Sequence, residues 1–187
     1  MANRLTLVSV PTDDDRRAPR FPGCDRLDLP FDSLPEAVRH CLTDADHLIH
    51  APEIVLGPSA AVRAPAEAAE ALSDLDYGNW TNRPMTEVAA ADPAGFEVWR
   101  MNVAAAPHGG EAITGARDRV GRWLAALGGQ SGCIVALCPA VIVRITLTAA
   151  LDAPLQMIWR LDPMPWSASH LTRHGDRWSL RLGQALP

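Results

Sequence analysis

CIVALCPAVIVR, residues 133–144, decides the architecture of this chain. Residues 133–137 are the most apolar run in the sequence and predict a buried strand. Residues 141–151 predict the helix that follows it. Working outward, LTLVSV at residues 5–10 is a second short apolar run, closed by Pro11, and IVL at residues 54–56 is a third, closed by Gly57-Pro58. A helix is expected over residues 33–41, with Ser33 as N-cap, Pro35 in the first turn and Glu36 three residues after the cap. Another is expected over residues 60–72, which are rich in Ala and Glu. Residues 85–101 predict one or two helices, interrupted near Asp92-Pro93. Residues 111–127 carry apolar side chains at helical spacing and end at Gly128-Gly129. Residues 156–162 and 166–182 read as strands, the latter a hairpin turning at His174-Gly175-Asp176. Strands alternating with helices predict an α/β, three-layer α/β/α sandwich with a mainly parallel central sheet. There is no internal repeat or linker, so residues 1–187 are expected to form a single domain.

Composition narrows the chemistry. All 17 basic residues are Arg, so no lysine is available for a Schiff base or for pyridoxal attachment. The Arg, Ala and Pro bias suggests a GC-rich bacterial genome. Net charge is -5 with no dense basic stretch, which argues against a nucleic-acid partner. No segment predicts a signal peptide or a membrane span, because the longest apolar run stops at Arg144. A cytoplasmic location is therefore expected. Cys24, Cys41, Cys133 and Cys138 lack CxxC spacing and read as free thiols, with no metal and no cofactor implied.

Six motifs in order resemble the histidine phosphatase (phosphoglycerate mutase-like) superfamily. The first strand ends at Ser9-Val10-Pro11, where the family has Arg-His-Gly. Arg20-Phe21-Pro22-Gly23 leads to Leu27-Asp28. Gly57-Pro58 precedes Arg63, and Asp74 precedes Tyr77-Gly78 and Trp80. Pro107-His108-Gly109-Gly110-Glu111 is followed by Arg119-Val120. Cys138-Pro139 then stands where Thr-His is expected, with Arg144 beyond. The resemblance implies a phosphoglycerate mutase-like fold and a site at the strand ends. It places the family's nucleophilic histidine at Val10, that histidine's arginine neighbour at Ser9, and the second histidine at Pro139. It leaves Arg63 as an anion anchor and Asp74 as the proton donor.

Valine has no lone pair to attack phosphorus, and proline offers neither a side-chain donor nor an N–H. Phosphohistidine chemistry is therefore not expected. Asp74 and His108 are the candidate catalytic residues. Ser9, Arg63, Trp80, Glu111 and Cys138 are the candidate ligand-binding residues. His108 also reads as a solvated loop histidine, Glu111 as a helix cap, and Cys138 as a buried structural thiol. Asp13, Asp14 and Asp15 read as a solvated loop. Arg173-His174-Gly175 reads as a hairpin turn and not as a relocated nucleophile. Three functions follow: a repurposed pocket for a small, anionic molecule, a non-catalytic binding or scaffolding module, or a residual phosphatase. The oligomeric expectation, a monomer or homodimer, comes from the resemblance.

Overall fold

The structure, a computed structural model, describes residues 3–11, 19–23 and 25–182. Asp13, Asp14, Asp15 and Cys24 lie outside the described residues. The strands in chain order are β1 (Asn3–Val10), β2 (Leu27–Leu29), β3 (His47–His50), β4 (Ile54–Leu56), β5 (Ala66–Ala68), β6 (Cys133–Pro139), β7 (Ala168–His174) and β8 (Arg177–Arg181). The helices are α1 (Glu36–Thr43), α2 (Met85–Ala91), α3 (Pro93–Met101), α4 (Ile113–Ala126) and α5 (Ala140–Ala150). Six strands form one sheet in the order β5-β3-β6-β1-β7-β8, and β2 and β4 form a separate pair. β5, β3, β6 and β1 run parallel, while β7 and β8 are antiparallel additions. This is the mainly parallel α/β sheet flanked by helices that the alternation predicts.

Connection handedness sets the layers. The step from β1 to β3 runs toward one edge of the sheet and carries α1. The step from β5 to β6 runs the other way and carries α4. Right-handed crossovers in opposite directions place their helices on opposite faces. α5 packs on α4 and shares its face, and α1 occupies the other. β1 and β6 are almost wholly buried at the centre, with Leu5, Leu7, Ile134 and Leu137 inaccessible to solvent.

Three local expectations need correction. Residues 60–72 are not a helix: they contain the edge strand β5 and a 3-10 turn, Glu70–Leu72. Pro65 removes a helical N–H and pushes Ala64 toward extended backbone, which outweighs the Ala/Glu propensity. Ser33 does not cap α1. Its hydroxyl donates to Pro30 O at 2.7 Å, and the helix begins after Pro35. Residues 156–162 are a 3-10 helix, Leu155–Arg160, and not a strand. Residues 54–56 do form a strand, β4, in the two-stranded sheet, while the central sheet also uses His47–His50, whose flanking histidines hide its apolar pair. The Arg173-His174-Gly175 motif does lie at the β7–β8 turn, with Gly175 at φ 61° and His174 exposed.

Candidate functional site

Val10 and Pro139 end the two central strands side by side, and both are buried. Ser9 pairs in register with Cys138 one step earlier. Ser9 is buried, and its backbone N–H and carbonyl are taken by Ser167 O and Trp166 N–H. Cys138 is fully buried, and burial drives its thiol far above the ordinary value. It behaves as a core thiol and not as a nucleophile.

Asp74 lies at the same end of the sheet. β3 stops at His50, and the chain turns through Ala51, whose N–H donates to Leu137 O. Glu53 follows Pro52, and its Oε1 accepts the Asp74 N–H at 2.8 Å. Asp74 Oδ1 accepts the Leu75 N–H at 2.7 Å. Two cavities meet at these carboxylates. One, of about 220 Å³, is walled by Arg20, Phe21, Pro22, Asp25 and Asn82. The other, of about 600 Å³, opens past Pro52, Ser73 and Asp76, and Gly23 and Arg26 line both. Burial pushes the Asp74 carboxyl up to about 7, with the Glu53 charge adding to the shift and the Leu75 N–H opposing it.

The structure does not bring Arg63 to Asp74. Arg63 is exposed, precedes β5, and lines a surface depression with Thr43, Asp44 and Asp46. Those residues precede β3, so Arg63 sits near the N-terminal ends of the parallel strands while Asp74 sits near the C-terminal ends. Ala51-Pro52, directly after β3, occupies the place where the resemblance expected Gly57-Pro58. The sequence reading assigned no role to Glu53 or Arg26 and named Arg20 only within the Arg20-Phe21-Pro22-Gly23 motif. The available signal for Glu53 was its position after a proline that closes a strand, and the strand itself was not recognised.

Glu111 neither faces the cavities nor caps a helix. Its carboxylate takes Arg119 Nε at 2.9 Å and Nη2 at 3.0 Å, with the two side chains 25% and 17% exposed. The same guanidinium donates to the carbonyls of Ala71, Ser73 and Asp74. Arg119 therefore fixes the backbone that carries Asp74. His108 is 1% exposed and not solvated. Its Nδ1 accepts the Gly110 N–H at 3.1 Å, its ring lies against Tyr77 and Trp80, and burial lowers its pKa. Trp80 is also interior. It belongs to an aromatic cluster centred on Phe21, with ring centroids 5.1 Å apart, together with Phe96 and Trp99. His108 and Trp80 thus belong to this interior cluster and line neither of the Asp74 cavities. Gly78 makes this packing possible: it sits at φ 47°, and a Cβ there would collide with the His108 carbonyl.

Among the described residues, no group of three or more His, Cys, Asp or Glu side chains could hold a metal ion. None of the described helices is long and apolar enough to cross a membrane.

Comparison with known proteins agrees with this architecture. The sequence profile of the Histidine phosphatase superfamily (branch 1) matches residues 55–185. The chain belongs to that superfamily. No curated protein matches it in sequence. Similar solved structures include a protein assigned as an alpha-ribazole-5'-P phosphatase from Escherichia coli K-12 MG1655. It has a TM-score of 0.77 and 14% identity, over 99% of this chain and 97% of that one. Mycobacterial hydrolase 2 gives a TM-score of 0.77 at 17% identity, over 97% and 90% of the two chains. A mycobacterial glucosyl-3-phosphoglycerate phosphatase gives 0.69 at 19% identity, over 96% and 97%. Likeness at this identity establishes the fold.

Proposed function

We propose that this superfamily member binds a small metabolite in the Asp74 cleft and moves a proton there, without phosphohistidine chemistry. The observation that carries the reading is the Asp74 carboxyl, pushed up to about 7 where two cavities meet. An acid with a pKa near neutrality can both give and take a proton at working pH. Perturbed carboxyls in clefts are candidate functional groups for that reason.

Two features argue against phosphoryl transfer. The resemblance aligns Val10 and Pro139 with the family's two histidines, and neither side chain can attack or hold phosphorus. Glu53 adds a second carboxylate beside Asp74, and paired negative charge repels a phosphate dianion. Arg20, which donates to Asn82 O, and Arg26, which pairs with Asp28, line the smaller cavity and are its cations in place of Arg63.

Turnover of p-nitrophenyl phosphate by the purified protein tests the negative half. The expected rate equals the buffer blank, and Val10→Ala leaves it there. Turnover at rates ordinary for phosphatases, abolished in Asp74→Asn, would sink the proposal. A thermal-shift screen of small carboxylates and phosphate esters tests the positive half, with Arg26→Ala removing the shift. No shift with any compound would favour the scaffolding reading.

A further inference from the structure

On the face of the sheet opposite α4 and α5, beside α1, the described residues form a groove outside the Asp74 cleft. It comprises two cavities, of about 770 Å³ and 270 Å³, that share Cys41, His170 and Arg181. The larger cavity by itself falls in the range of small-molecule sites. The groove exists because β1 and β7 present modest side chains to this face. Val8 pairs with Ala168, Thr6 with His170 and Arg4 with Thr172, and all six line it. From the first of these pairs to the last is four residues, or about 14 Å of strand.

The two ends differ in chemistry. At one end Trp166, Val8 and Val38 form an apolar wall. Trp166 stands at φ 60°, a conformation that non-glycine residues rarely adopt. It is held there by its N–H donating to Ser9 O at 2.8 Å and by the Ser9 N–H donating to Ser167 O at 3.0 Å. Strain of this kind persists where the surroundings over-determine it, often at ligand clamps. At the other end Arg4 supplies positive charge, and Arg181 adds a second cation level with His170, its partner in register; among the described residues no salt bridge engages either of them. Between the ends His170 is oriented by a 3.1 Å hydrogen bond between its Nδ1 and the Thr6 hydroxyl. Glu36 and Asp44 stand on the helix side, exposed to water, which disfavours a polyanion.

We infer that this groove is a second binding site, for an elongated aromatic monoanion. Its ring system lies against Trp166 and its carboxylate or sulfonate reaches Arg181 and Arg4. The inference does not rest on the Asp74 reading. The probe is 1-anilinonaphthalene-8-sulfonate, which has an aromatic body and one sulfonate. Its fluorescence is expected to saturate at one dye per chain. Arg181→Glu and Arg4→Glu, both exposed positions, should each weaken binding at least tenfold. Saturating dye should also slow iodoacetamide labelling of Cys41, read on its own peptide by mass spectrometry. The absence of saturable binding, wild-type affinity in both charge-reversal variants, or unchanged Cys41 labelling would overturn the inference. Weakening by Arg26→Ala in their place would put the dye in the Asp74 cleft and overturn it equally.

Discussion

Replacing Asp74 by Asn should make the protein more stable at alkaline pH than at acid pH, relative to the wild type. The carboxyl ionises near 3.8 in the unfolded chain and near 7 in the folded one. Protonated Asp74 is therefore the form that the native state favours. Its contribution is fully present below the unfolded value and is lost as pH rises from about 4 through 7. Three units at 1.36 kcal/mol each set a ceiling of roughly 4 kcal/mol. Asp74 keeps some contact with the open cavities, so about 1–3 kcal/mol is the expected size. Asn removes the titration and retains an oxygen for the Leu75 N–H, so the backbone turn survives. Urea unfolding of both proteins at pH 4, 5, 6, 7 and 8 measures the difference. The stability of Asp74→Asn minus that of the wild type should climb across this window and flatten above pH 8. A difference that stays constant from pH 4 to 8 would refute the buried-acid argument and, with it, the main support for a proton-moving role.

Further expectations concern the frame around Asp74. Arg119→Met leaves Glu111 without its partner and the carbonyls of Glu70, Ala71, Ser73 and Asp74 without their donor, and should cost about 2–4 kcal/mol in chemical denaturation. Arg119→Lys should rescue little of it, because an ammonium cannot reproduce the fork. Gly78→Ala meets both the positive φ and the His108 carbonyl. It should cost about 2 kcal/mol or more, read from the tryptophan fluorescence transition in urea. His108 is held below its usual pKa of 6.5 by burial, so its ring should stay neutral in an NMR titration until the pH falls below that value. A His108 resonance titrating at or above 6.5 would mean that the ring is solvated.

Several features of the site were legible from short stretches because local chemistry fixed them. Asp92 and Pro93 end one helix and begin the next, and the Asp92 side chain accepts the Gly95 N–H as its cap. Gly175 marks the final hairpin because few other residues tolerate its conformation. Asp74 was legible as an acid through its place before Tyr77-Gly78. Its unusual proton affinity was not, since that comes first from burial, which the fold sets, and then from Glu53, twenty-one residues earlier in the chain and adjacent only in space.

By itself the sequence determined the α/β class and the central strands, because runs such as residues 133–137 are too apolar to sit anywhere but between two covered faces. It also put valine and proline at the paired ends of those strands. Only the tertiary structure decided which polar groups meet. Glu53 reaches Asp74 because β3 pairs with β6 and ends at the same edge of the sheet. Arg63 lies away from that edge because Pro65 replaces a helix with an edge strand entered from the opposite end. Glu111, just before α4, meets Arg119 on that helix, and its carboxylate is committed to a two-point ion pair. Local pattern sets which way a segment folds, while partnership between charges is set by register and layer, which no single segment contains.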